Sequence, residues 1–180
     1  YHARDRYDAE RVAVVDFDVH HGNGTQDIFW ADADMFYGST HQMPLYPGSG
    51  SRSETGAGNI FNAPLRAGDG GVQFREAFNS IILPALDSFG PDLVVISAGF
   101  DAHVRDPLGS LELTEEDFSW ATLQLLDLAD THARGRVVSV LEGGYDLQGL
   151  AGSVGVHLHA LMHGESLTAA MDAEDEDDGT

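Results

Sequence analysis

Short apolar runs alternate with helix-period segments along this chain. Val12 to Asp16, Met35 to Ser39, Leu93 to Ser97 and Val137 to Leu141 read as strands, with Asn59 to Pro64 a weaker one. The stretches DLVVISAGFD and RVVSVLEGGYD stay apolar until they break at glycine, the pattern of strands buried on both faces. Between the strands, Phe74, Phe78, Ile81, Ala85 and Phe89 recur at helical spacing, and Pro84 is expected to kink or interrupt that helix. Thr114 and Asp117 have the spacing of a capping box and open a helix with Phe118, Ala121, Leu125 and Leu128 on one face. A last helix follows Asp146, carrying Leu150, Val154, His157 or Leu158, and Leu161. This alternation predicts β/α units around a mostly parallel sheet.

In open α/β sheets ligands gather beyond the carboxyl ends of the strands. Three segments place unusual polar groups at such ends: DFDVHHGNG, SAGFDAH and LEGGYD. Asp16, Asp18 and His20 alternate, so in extended chain they project to one side and His21 to the other. Burying such a cluster is costly without a positive partner, which points to a divalent metal. Asp18 and His20 with Asp101 make a three-ligand set that leaves one coordination position open, as a catalytic zinc requires. Asp16 is then free to orient a histidine or a ligand from behind. A lone Asp-x-His is more often a satisfied loop cluster; the whole run with its glycines, joined by Asp101, reverses that preference.

Gly143 and Gly144 let backbone approach a ligand closely, and Tyr145 after them can donate a hydrogen bond to a developing oxyanion. On its own GGYD reads as a surface turn; its place at a third strand end is what singles Tyr145 out. STHQMPLYPGSG is either a pocket rim with Tyr46 as an aromatic wall or a plain surface loop. His41, His103 and His157 read as hydrogen-bonded structural residues rather than ligands.

Composition narrows the partners. Thirty Asp and Glu face nine basic residues, all Arg, for a formal net charge of -21. Nucleic acid needs a basic footprint that such a surface lacks, so it is not expected as a direct partner. An acidic, lysine-free surface suits a salt-rich cell, where ions screen self-repulsion, and suits equally an acidic protein from a GC-rich genome. Without cysteine there are no disulfides or thiolate sites, so a metal must take His and carboxylate ligands. No apolar run reaches membrane-spanning length, and YHARDRYDAERV has neither the basic start nor the apolar core of a signal segment. A soluble cytoplasmic protein is the expectation, with one domain over 1–164 and an acidic, disordered tail over 165–180.

DFDVHHGNGTQDIF, HQMPLYPGSG, GAGNIFNAPL, PDLVVISAGFDAH, DPLG and LEGGYDL stand in the order and spacing of the histone deacetylase superfamily. The set most resembles its bacterial and archaeal class II-like branch, which includes acetylpolyamine amidohydrolases and acetoin-utilisation proteins. The likeness runs from Arg11 to Gly164. It implies an arginase/deacetylase-like three-layer α/β fold and a zinc-dependent amidohydrolase, with iron(II) as the other candidate metal. Asp18, His20 and Asp101 fall on the family's zinc ligands, and Tyr145 on the tyrosine that polarises the acetyl carbonyl. Asp16 falls on the aspartate that hydrogen-bonds a catalytic histidine. A structural potassium ion beside the zinc, bound through backbone carbonyls of the first motif, would involve Asp16, Asp18, His20, Ser39 and Thr40.

The implied reaction is hydrolysis of an acetyl-amide on a lysine, a polyamine or a small amine, giving acetate and the free amine. Members of the superfamily carry two adjacent histidines, the general base and its partner, well before the first zinc motif. No such pair precedes Val12 here, and His20 and His21 belong to the metal motif. The chain therefore resembles the C-terminal part of a deacetylase, incomplete on the N-terminal side of the fold and expected to be inactive alone. A non-catalytic metal- or acyl-ligand-binding module is the alternative. An arginase-type two-manganese site is disfavoured, because SAGFDAH offers a single aspartate.

Overall fold

The computed structural model describes residues 1–167. Five strands form one parallel sheet: β1 (Val12–Asp16), β2 (Met35–Gln42), β3 (Ile60–Leu65), β4 (Leu93–Ala98) and β5 (Val137–Leu141), in the order β3-β2-β1-β4-β5. The helices are α1 (His2–Tyr7), α2 (Asn23–Phe29), α3 (Gly71–Ala77), α4 (Leu83–Phe89), α5 (Glu115–His132) and α6 (Leu147–His163). The parallel α/β architecture read from the alternation is the one observed. β1 and β5 have the expected bounds, whereas β2 runs on to Gln42 because Thr40, His41 and Gln42 pair with Ala63, Pro64 and Leu65 of β3.

From β1 the chain builds outward through β2 and β3, then returns to the far side of β1 as β4. Strand order thus reverses between β1 and β4, and a parallel sheet opens a crevice at the carboxyl end of such a reversal. Alternation within β1 feeds two cores. Ala13 and Val15 pack with Phe36, Ile96, Phe118 and Leu125 on the face covered by α3 to α6. Val12 packs with Met35, Tyr37 and Ile60 on the other face, under α1 and α2.

Pro84 interrupts the regular α-helix, as expected, without ending the helical segment. A wide π-turn, Phe78–Ile82, joins α3 to α4. Proline lacks the N–H that would reach the Ser80 carbonyl, and the wider turn absorbs the loss. The turn also moves the inward face, so Phe74, Phe78, Ile82, Leu86 and Phe89 are buried in place of Ile81 and Ala85. At the start of α5 the Asp117 carboxylate accepts from the Thr114 N–H at 3.0 Å and its hydroxyl at 3.2 Å, and pairs with Arg75 at 2.9 Å. In α6 His157, not Leu158, turns inward, because Thr122 and Ser139 offer its ring hydroxyl partners at 2.7 and 2.8 Å.

β5 departs from the expected burial on both faces. Val138 and Val140 are 50% and 47% exposed. They share a face with Val95, and the apolar cluster under α1 and α2 reaches Val95 but not β5. Among the described residues no helix is long and apolar enough to cross a membrane. The acidic tail expected over 165–180 lies, from Thr168 onward, outside the described residues.

Candidate metal centre

The reversal crevice gathers the ends of three strands. β1 ends at Asp16, and the chain then bends rather than staying extended through His20, so the expected one-sided alternation does not hold. Two aspartates drive the bend: Asp16 Oδ1 accepts the Asp18 N–H at 3.0 Å, and Asp18 Oδ1 accepts the His20 N–H at 2.7 Å. Asp16 thereby turns toward the second face, where the Tyr37 hydroxyl donates to its Oδ2 at 2.8 Å. Asp18 and His20 turn instead toward Asp101, which follows β4. His20 Nδ1 lies 3.1 Å from Asp18 Oδ1 and 3.0 Å from Asp101 Oδ2, and one ligand atom from each residue fits within 4.8 Å of the others.

Backbone amides aim both carboxylates. The Val19 N–H donates to Asp101 Oδ1 at 2.8 Å and the Gly143 N–H to Asp18 Oδ2 at 2.9 Å, leaving the remaining lone pairs to face the imidazole. Gly99 and Gly143 are glycines for steric reasons: a Cβ at Gly99 would strike the Asp18 carboxylate, and one at Gly143 the carboxylates of Asp101 and Asp18. Burial, reinforced by the neighbouring Asp18 charge, raises Asp101 to about 7. Two adjacent carboxylates, that of Asp101 fully buried, repel each other without a cation, and this hard-oxygen and nitrogen set suits zinc or iron(II). The residues present therefore fit a divalent metal.

A cavity of about 420 Å³ opens over the cluster, lined by Asp16, Asp18, His20, Gly143 and Tyr145 together with Ser97, Leu141 and Glu142. Among the described residues larger clefts, such as one of about 750 Å³ beside Arg52 and Arg66, hold no comparable cluster. Tyr145 is 55% exposed, and burial with the charges of Asp101 and Asp18 pushes its phenol up, so it is a hydrogen-bond donor at neutral pH.

The model of the Histone deacetylase domain matches residues 1–161. The chain belongs to the histone deacetylase family. It is 42% identical over 175 residues to "Histone deacetylase 10, chloroplastic" of Oryza sativa subsp. japonica, covering 95% of this chain and 40% of that protein. It is 43% identical over 148 residues to the "Histone deacetylase-like amidohydrolase" of Pseudomonas aeruginosa, covering 79% and 39%. The crystal structure of the HDA15 HD domain superposes with a TM-score of 0.80 at 39% identity, covering 85% of this chain and 44% of that one. The chain thus spans less than half the length of each of these histone deacetylase relatives.

The other expected site residues of this deacetylase-family chain spread around the cluster. Ser39 pairs with Asp16 across the sheet, and its hydroxyl meets His41 Nδ1 at 2.9 Å. Thr40 Oγ1 is buried without a hydrogen-bond partner. Tyr46 is 79% exposed with its ring 6.5 Å from that of His20, beside the cavity rather than among its lining residues. Gly144, at φ 144°, shapes the turn between Gly143 and Tyr145. His21 meets Ser49 and Gln26; His41 is held by Ser39 and the Gly50 carbonyl, and burial lowers it to about 4.

Several residues at this site carry no assignment from sequence. Tyr37 ties Asp16 to Gly22, accepting the Gly22 N–H at 2.9 Å. Ser97 and Glu142, joined at 3.1 Å, stand at the cavity wall. Asp106 holds the backbone of Tyr145. Asp106 as the first residue of DPLG, Ser97 in SAGFDAH and Glu142 in LEGGYD fall within motifs visible in the sequence, whereas Tyr37 falls in none.

Proposed function

We propose that this chain carries the metal-binding and carbonyl-polarising part of a zinc-dependent deacetylase that hydrolyses acetyl-amides of a lysine, a polyamine or a small amine. One observation carries the reading: the convergence of Asp18, His20 and Asp101 beneath a cavity that Tyr145 also lines. Zinc held there supplies Lewis-acid polarisation of the acetyl carbonyl and of a water. The Tyr145 phenol donates a hydrogen bond to the carbonyl oxygen as negative charge develops on it, the electrostatic contribution that dominates much acyl-transfer catalysis. Asp18 and Asp101, fixed by the Gly143 and Val19 amides, would hold the metal together with His20. Iron(II) is the second candidate for the same ligands. A potassium ion bound through backbone carbonyls, and involving Asp16, Asp18, His20, Ser39 and Thr40, is part of this reading.

Proton removal from the attacking water needs a base, and Asp16 is the residue we assign to orienting it. Asp16 is held by Tyr37 and the Asp18 amide, and no described histidine bonds to it. We assign the base to the adjacent histidine pair that the family resemblance implies. The test loads the 180-residue chain with zinc, beside the same chain joined to an upstream segment carrying such a pair, and measures acetate released from an acetyl-lysine peptide and from acetylputrescine. The expected result is about one zinc in each and faster acetate release from the longer chain, the shorter being slower by ~100- to 10,000-fold, the usual contribution of a positioned base. Equal rates would mean that a histidine inside the chain, His41 or His103, serves as base. Zinc bound without acetate from either chain would favour a metal- or acyl-ligand-binding module.

A further inference from the structure

The Tyr145 hydroxyl makes no hydrogen bond among the described residues, so the position of the ring depends on its backbone. That backbone is pinned on both sides of Gly144. On one side, Gly143 donates to Asp18 and accepts the Phe100 N–H at 2.8 Å. On the other, a single carboxylate does the work: Asp106 Oδ2 accepts the Tyr145 N–H at 2.7 Å and the Asp146 N–H at 3.3 Å. Between the two anchors stands Gly144, with no Cβ to stiffen it.

Asp106 is itself fixed. Its Oδ1 accepts the Leu108 N–H at 2.9 Å, and its own N–H donates to the His103 carbonyl at 2.8 Å. It is 7% exposed and has no basic partner, since the adjacent Arg105 reaches Gln148 instead. A buried carboxylate satisfied only by backbone amides costs free energy to desolvate, and its local return is the ordering of the segments that supply those amides. Those segments are the loop that begins with Asp101 and the turn that carries Tyr145.

We infer that Asp106 is a positioning residue that sets the Tyr145 phenol against the Asp18, His20 and Asp101 cluster, an inference that rests on the proposed carbonyl-polarising role of Tyr145. Asp106 and Asp101 lie on one short loop, so the metal ligand and the phenol share a single rigid support. Asp106 touches neither metal nor substrate; it acts through the backbone of Tyr145.

The test is a double-mutant cycle on the zinc-loaded chain, with acetohydroxamate binding measured by calorimetry. Tyr145→Phe and Asp106→Ala are each expected to weaken acetohydroxamate by ~10-fold on the zinc-saturated protein, as loss of a hydrogen bond to a charged group does. The double variant is expected to be no weaker than either single one. Asp106→Asn, whose amide oxygen can still accept from Tyr145 and Asp146, is expected to restore most of the affinity; Asp106→Ser, too short to reach both amides, carries the measurement if Asp106→Ala does not fold. Full affinity in Asp106→Ala, or losses that multiply in the double variant, would overturn the inference. If the chain takes up no zinc, the functional reading fails and amide hydrogen exchange on the metal-free protein decides the clamp. Faster exchange at Tyr145 and Asp146 in Asp106→Ala, with α5 unchanged, supports it; unchanged exchange there overturns it.

Discussion

The Gly143 amide donates to Asp18 Oδ2 at 2.9 Å, joining the exits of β5 and β1 across 125 positions of sequence. Because β4 lies between those strands, this bond closes the crevice around Asp101. A methyl group on Gly143 would meet both the Asp101 and Asp18 carboxylates. Gly143→Ala is therefore expected to keep its fold by circular dichroism and to lose ~10- to 100-fold in zinc affinity, the usual effect of disturbing the groups that orient metal ligands. Zinc titration in competition with a chelator measures it, and unchanged affinity would mean that the site tolerates a displaced carboxylate.

Asp101 makes metal binding depend on pH. Its carboxyl is raised to about 7, burial first and the Asp18 charge second, so protons compete with the metal across the neutral range. Zinc affinity is expected to fall steadily as pH drops from 8 to 6, and Asp101→Ala to bind zinc weaker by orders of magnitude at any pH. In the metal-free protein the sign is opposite to that of a salt-bridged carboxylate. The folded state holds the proton in a window where the unfolded chain has released it, so Asp101 removes stability as pH rises from about 4 toward 7. Metal-free Asp101→Asn should gain on the parent chain over that window in thermal melts, and saturating zinc should reverse the order.

The sequence made the cluster readable because each of its members ends a strand. Asp18 and His20 follow β1, Asp101 follows β4, and parallel strands bring such ends together without further information. What orients them was not readable. Tyr37 reaches Asp16 across 21 positions and Asp106 reaches Tyr145 across 39, through packing that no local spacing encodes. The bend after Asp16 belongs to the same class: alternation in the sequence describes an extended chain, and side-chain acceptors that capture the Asp18 and His20 amides remove the extension. In the helical segment around Pro84 the apolar spacing gave the element but missed its inward face by one position, because a π-turn changes the period.

His157 provides a pH effect away from the metal. Its ring bridges Thr122 of α5 and Ser139 of β5 at 2.7 and 2.8 Å, and burial lowers it to about 4. An unfolded histidine takes up its proton near 6.5, so between that value and 4 the unfolded state binds more protons and stability falls as pH falls. The upper limit of the effect is about 3 kcal/mol at ~1.4 kcal/mol for each pH unit. His157→Gln keeps hydrogen-bonding groups without a titratable ring. Denaturant melts at pH 7 and pH 5 should show a smaller acid loss for the variant than for the parent; equal losses would place the sensitivity in other groups.

The charge of -21 separates two effects of salt. Nine arginines cannot neutralise thirty carboxylates, and several arginines are already paired, Arg4 with Asp32 and Arg75 with Asp117 among them. The surplus repels itself over a distance of ~10 Å at 0.1 M salt and ~3 Å at 1 M, so screening favours the compact state. Melting temperature is expected to rise by several degrees between these concentrations in sodium chloride and potassium chloride alike, because screening does not distinguish the cations. A potassium site beside Asp16 and Thr40 would add a second component, confined to potassium and saturating well below molar concentration. Melts in matched series of the two salts resolve the components. A rise common to both salts measures self-repulsion, an excess in potassium at low concentration measures the site, and a melting temperature indifferent to both would mean that neither effect governs this fold.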